Sequence, residues 1–157
     1  MTYDLLDSTT LASSASSVTF SSISQDYRDL VLVVDGVAVS GDTFLRPQMN
    51  GDTASNYSWM RMYGDGTTTS SSSLSAQTSA VIGLLETVQS VCIANFMDYS
   101  ATDKHKSGIS RANAIGQQVG AYAQRYASTS AITSLTIICT GSGAAAGSTF
   151  YLYGIKA

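Results

Sequence analysis

The sequence predicts an all-β fold, one antiparallel β-sandwich domain over residues 1–157, and three observations predict it. Period-two alternation and β-branched runs recur along the chain, while helical periodicity is hard to find. Nine or ten such runs follow one another at sandwich or barrel spacing, parted by Gly-, Ser- and Asn-rich turns. No βαβ rhythm and no repeat of fixed period competes with this reading.

The first expected strand is YDLLDSTTLA, followed after SSAS by SVTFSSI, with Val18 and Phe20 on one face. SQDYRD reads as a turn. LVLVVDGVAV opens with five apolar residues in a row and reads as a central strand buried on both faces. TFLRPQMNGD carries the only proline; Pro47 cannot donate to a ladder, so that strand is expected at an edge or a bulge. NGDTASN is the strongest turn, because Asn-Gly supplies positive φ. In YSWMRMYGDG, Tyr57, Trp59, Arg61 and Tyr63 share one face, with Ser58, Met60 and Met62 on the other. TTTSSSSLSAQ reads as a low-complexity loop. TSAVIGLLETV is ambiguous, since Gly83 weakens a short helix. QSVCIANFMDYS is a strand, ATDKHKSG a loop and ISRANAIG a weak strand. QVGAYAQRYA alternates Val119, Ala121, Ala123 and Arg125 against Gly120, Tyr122, Gln124 and Tyr126. AITSLTIICT is a strongly apolar strand, and GSGAAAGS is read as a hairpin connection to a last strand. In that strand Thr149, Tyr151, Tyr153 and Ile155 oppose Phe150 and Leu152.

Composition bounds the function. Hydrophobic residues make up 44% of the chain, enough for a real core, and charged residues only 12%, about half the usual share. Such a polar but nearly uncharged surface suits extracellular β-proteins and permanent assemblies. The net charge is -3 and the eight basic residues are scattered, with Lys104, His105, Lys106 and Arg111 the only local concentration. Nucleic-acid binding is therefore not expected. No stretch approaches the ~20 apolar residues of a membrane span, so no membrane partner is expected. MTYDLLDSTT lacks the features of a signal peptide, and the chain is expected to be made in a cytoplasm. Cys92 and Cys139 sit in apolar runs and read as free buried thiols, with a cross-sheet disulfide as the alternative.

No motif carries chemistry. GSGAAAG matches a G-x-G-x-x-A fingerprint through Gly141, Gly143 and Ala146, but a strand follows it, not the helix that pyrophosphate binding needs; no cofactor is expected. His105 is the only histidine and lies between two lysines, a poor base for a triad. Glu86 is the sole glutamate, and most aspartates sit at turns, where Asp bonds nearby backbone amides. Two Cys and one His cannot make a structural zinc site, and Asn50, Asp52 and Asn56 lack the spacing of a calcium loop. No catalytic or metal residue is assigned. Tyr57, Trp59 and Tyr63 form an aromatic period-two face that suits a core, a subunit interface or a glycan platform. Tyr151 and Tyr153 are candidates for contact with a neighbouring subunit.

Five stretches together, STTLASSASSVTFSSI, YRDLVLVVDG, NGDTASNYSW, AITSLTI and GSTFYLYGIKA, resemble small structural proteins of tailed bacteriophages, cyanophages among them. The resemblance spans Ser8 to Ala157. Its most specific pieces are the N-terminal Ser/Val/Phe strand, the turn around Asn50 to Ser58 and the closing Tyr-Gly-Ile. Pro47 departs from it, standing where an uninterrupted strand is expected. The resemblance implies a β-sandwich of jelly-roll type and no enzyme activity. It further implies a virion location after assembly in the host cytoplasm, and a homo-oligomer, expected to be a trimer, that meets the major capsid protein or other virion proteins. Head decoration (a cement protein) fits a free-standing sandwich best. The alternative is a receptor-binding module of a tail fibre or knob that recognises host glycans.

Overall fold

The computed structural model describes residues 2–114 and 118–156, and among them the chain forms twelve strands and no helix. These are β1 Thr2–Thr10, β2 Ser17–Phe20, β3 Asp29–Gly36, β4 Thr43–Met49, β5 Tyr57–Gly64, β6 Thr69–Gln77, β7 Gly83–Leu85, β8 Ser90–Met97, β9 Lys106–Ala114, β10 Val119–Tyr126, β11 Leu135–Cys139 and β12 Thr149–Lys156. Eight make a large sheet in the order β1-β12-β3-β8-β9-β10-β5-β6, and four make a small one, β2-β11-β4-β7. Both are antiparallel throughout. The fold is an antiparallel β-sandwich of jelly-roll type. The last two residues of ISRANAIG lie outside the described residues.

The core follows from the alternation. Leu30, Leu32 and Val34 of β3, Cys92, Ala94 and Phe96 of β8, and Phe150 and Leu152 of β12 face inward. They meet Val18, Phe20, Leu45, Met49, Leu135 and Ile137 of the small sheet. Each Val, Leu, Ile, Phe or Met among them contributes about 1.5–3 kcal/mol by leaving water. Both cysteines are free and buried, and burial pushes the Cys92 thiol up to about 12 and Cys139 up to about 11.

Strand β12 lies between β1 and β3 and is paired on both sides. The Tyr-Gly-Ile sequence near its end has a steric cause. The ring of Tyr27 lies directly on Gly154, and any Cβ there would collide with it. A similar constraint acts at Gly83 in β7. A Cβ at that position would stand 2.8 Å from both Cys92 Sγ and Ala112 Cβ, so β7 reaches the large sheet only through glycine.

Three local expectations change. The Ser-rich stretch 67–77 is not a loop; residues 69–77 form β6, the edge strand beside β5. Backbone pairing, not side-chain burial, holds it, since all but its last residue are exposed. The segment GSGAAAGS is not a hairpin, because β11 belongs to the small sheet and β12 to the large one. It is a crossing between layers, with positive φ at Gly141, Gly143 and Gly147 and bridges from Ala144 to Ala15 and Ala38. The Asn50-Gly51 turn has the expected positive φ values of 53° and 65°, yet it too leads from one sheet to the other. The Pro47 carbonyl accepts from Ala80 at 3.2 Å, so its nitrogen faces that side and no bond to β11 is lost.

Candidate interface on the outer face of the large sheet

Strand geometry sends alternate side chains to the core and outward. On the large sheet the paired registers build two outward rows. One runs Leu5, Tyr153, Val31, Asn95, Ile109, Ala123, Met60, Ser73. The next runs Ser8, Tyr151, Val33, Ile93, Arg111, Ala121, Met62, Ser71. Tyr3, Ile109, Met62 and Val119 are 61%, 55%, 60% and 68% exposed. Eight strands about 4.8 Å apart, with eight residues of about 3.3 Å rise, give a face on the order of 900 Å2. Exposed apolar groups gather on this face, interleaved with Ser8, Asn95, Arg111, Ser71 and Ser73, and such gathering marks an interaction site.

The face is not flat. A recess of about 620 Å3 opens in it, lined by Tyr3, Val31, Val33, Ile93, Asn95, Ile109, Arg111 and Tyr153. The rings of Tyr151 and Tyr153 stack at its side, 6.3 Å apart and inclined by 26°. Outward charges in the eight strands are few and segregated. Asp29 and Asp35 stand on β3, and Arg111 and Arg125 on β9 and β10. Asp29 is engaged, pairing with Arg28 at 2.7 Å and accepting the Asp98 N–H at 2.9 Å. Asp35 accepts a hydrogen bond from the Gln89 amide.

The aromatic set expected on β5 lies on the opposite, inward face. Tyr57 is fully buried and stacks on Tyr126 with ring centroids 4.9 Å apart. Its hydroxyl accepts the Met49 N–H at 3.0 Å and donates to the Asp52 carbonyl at 3.0 Å; burial raises its pKa. Trp59 is half-buried against the core, with Nε1 enclosed. Tyr63 holds the Arg61 guanidinium 4.7 Å from its ring centre, and Arg61 also lies over Phe44 at 5.5 Å. Tyr57, Trp59 and Tyr63 therefore form no exposed platform: Tyr57 is sealed in the core, and Tyr63 is spent on Arg61. Tyr151 and Tyr153 are half-buried on the outer face.

The remaining candidates have local roles. Asp52 accepts from Ala54 N and Asn56 Nδ2, both at 2.8 Å, and from Tyr126 Oη at 2.9 Å; these bonds hold its pKa below the usual carboxylate range. Asn50 donates to the Ala131 carbonyl and accepts from Thr133 N, both at 2.8 Å. The oxygens that could have met calcium are thus engaged in binding the corner together. Among the described residues no three His, Cys, Asp or Glu side chains converge as a metal site. Lys106 is buried and donates to the carbonyls of Ala101, Lys104 and Thr129 at 2.5, 3.0 and 3.2 Å, tying two loops to the start of β9.

Tyr3, Leu5, Met60, Met62, Ile109 and Val119 were missed as site residues. Their signal in the sequence is the apolar residue at alternate positions that the inward face does not need. It is visible only once the inward parity of each strand is known.

No family model matches the chain, and no curated protein matches it significantly. Among solved structures the chain is similar to Scytalido-glutamic peptidase, with 14% identity over 92% of this chain and 66% of that one and a TM-score of 0.33. It is similar to mouse laminin α1 domains LG4-5, with 12% identity over 93% and 40% and a TM-score of 0.36. It is also similar to the CBM40 of a Ruminococcus gnavus IT-sialidase, with 7% identity over 94% and 92% and a TM-score of 0.38. The chain spans about two thirds of the peptidase chain and less than half of the laminin one. At such values nothing of these proteins' activities passes to this chain.

Proposed function

We propose that this chain is a non-enzymatic virion protein of a tailed bacteriophage, a homotrimeric decoration protein that cements the assembled head. The observation that carries the reading is the broad outer face of the large sheet, where exposed Tyr3, Leu5, Met60, Met62, Ile109 and Val119 gather with few charges, a composition that suits contact with protein. The sequence resemblance supplies the phage context, and the 12% charged content fits a permanent assembly. A cement adds buried area across capsomer boundaries. It binds only the closed shell and so shifts the shell's equilibrium against opening under genome pressure. Virions lacking the protein should release DNA at a lower temperature than complete ones, measured by dye access on heating. Equal release temperatures would sink this reading.

The second reading is a receptor-binding module of a tail fibre or knob. It draws on the recess, where Tyr3 and Tyr153 stand beside Asn95 and Arg111, rings next to hydrogen-bonding groups. The number of copies per virion separates the two: hundreds fit a head protein, a few dozen a tail part.

A further inference from the structure

From the recess in the outer face we infer that this chain binds a saccharide bearing a carboxylate, with Arg111 holding the acid and the tyrosine side holding the ring. This rests on the receptor-binding reading of the recess and names the class of its ligand. The registers show why a hollow forms here. Its floor is Val31 and Val33 of β3 and Ile93 of β8, which are shorter than their neighbours on either side. Tyr3 and Tyr153 stand on one side, on β1 and β12, and Ile109 and Arg111 on the other, on β9. Strands β12 and β9 are three spacings apart, about 14 Å. The volume of about 620 Å3 lies within the range of about 300–1,000 Å3 found for small-ligand sites.

Charge gives the first requirement on the ligand. Arg111 is exposed, and directly across from it stand Ile93 and Ala121. The three ion pairs among the described residues are Arg28–Asp29, Lys104–Asp98 and Lys156–Asp4, so Arg111 belongs to none of them. Of the acids on the same face, Asp29 is held by Arg28 and Asp35 by Gln89. The recess therefore offers a guanidinium and no carboxylate of its own. A guanidinium takes a carboxylate through two parallel hydrogen bonds. One cation balances a carboxylate, whereas a phosphate ester, with its larger charge, calls for a second.

The remaining groups select a sugar for the rest of the ligand. Asn95 pairs across with Ile109, so it stands diagonal to Arg111 on the next strand, about 7–8 Å away. Its amide and the hydroxyls of Tyr3 and Tyr153 supply donors and acceptors around an apolar floor. A sugar ring matches that arrangement, with a C–H face rimmed by hydroxyls. A fatty acid would satisfy Arg111 but leave the Asn95 amide and the phenols covered and unpaired, which is costly. A neutral sugar would satisfy Asn95 and the tyrosines and leave the guanidinium without its counter-charge. Of the three, the acidic sugar alone meets every group.

The test passes the full chain over an array of oligosaccharides built from hexuronic acids, nine-carbon acidic sugars, sulfated sugars and neutral hexoses. Circular dichroism on each variant verifies the fold. The retained glycans should carry carboxylates. Methyl esterification of the best of them keeps the ring and removes the charge, and should weaken binding by more than about ten-fold in calorimetry. Arg111→Gln and Tyr153→Ala should each cause a loss of that order, while Met60→Ala, on the same face but outside the recess, should change nothing. Retention of neutral glycans alone would overturn the inference and leave the receptor-binding reading in place. Retention of sulfated glycans alone, or binding of acidic glycans indifferent to Arg111→Gln, would overturn it as well. An array on which no glycan is retained would remove both.

Discussion

Glu86 shows how a single residue sets a pH dependence. It is 1% exposed, and among the described residues neither carboxyl oxygen has a hydrogen-bond partner. Burial, and next the nearby charge of Asp42, raise its pKa above the ordinary 4.5. A carboxyl whose folded pKa is raised binds its proton more tightly in the fold than in the unfolded chain. Its contribution to stability is therefore fully present below about 4.5 and is lost as pH rises through the folded value. Glu86→Gln should melt at a higher temperature than wild type at pH 8, by the equivalent of ~1 kcal/mol or more. At pH 4 the two should melt together. A difference that is the same at both pH values would refute the account. The sequence pointed to Glu86 only as the sole glutamate, because its enclosure is a property of the packed corner.

At the scale of elements, the turn from β4 to β5 is held by a tyrosine pair. Tyr57 bonds both Met49 and Asp52, and Tyr126 reaches the Asp52 carboxylate from β10. Tyr57→Phe keeps the ring stack but leaves the buried Met49 N–H without its acceptor, at a cost of about 1–3 kcal/mol. Trp59→Phe trims a half-buried indole to a phenyl ring and loses no hydrogen bond, since Nε1 has no partner among the described residues, so it should cost less. Urea unfolding midpoints compare the two, and equal losses would contradict this assignment. Most strands were legible because β3, β8, β10, β11 and β12 alternate or run apolar. Strand β6 was not, since TSSSSLSAQ has no apolar periodicity and owes its extension to pairing with β5. Glycines in GSGAAAGS announced a reversal but not its destination, because local φ does not say which sheet the next strand joins. The site was less legible than the fold. Period two gave Tyr57, Trp59 and Tyr63 a common face, and only the sheet order shows that this face is the inner one.

For the whole molecule, the sheet order matters more than any one contact. The core gathers side chains from Leu11 to Leu152, and the strand between β1 and β3 is β12. A chain stopped after Ser148 lacks Phe150 and Leu152, which are 0% and 1% exposed, and leaves β1 with no neighbour in the sheet. It should show no dispersed amide spectrum by NMR at temperatures where the complete chain does. A folded spectrum from the shortened chain would show that the smaller set of strands suffices.

That order also has a consequence for synthesis. Strand β1 is made before β12, its only neighbour in the sheet, with ten other strands between them in the chain. At roughly 5–20 residues per second, β1 waits on the order of ten seconds before it can be hydrogen-bonded. During that interval Tyr3, Leu5 and Leu6 travel on a strand with no hydrogen-bonded neighbour. The β1 edge thus stays unpaired until β12 has been made, and the pairing of these two strands ends the risk.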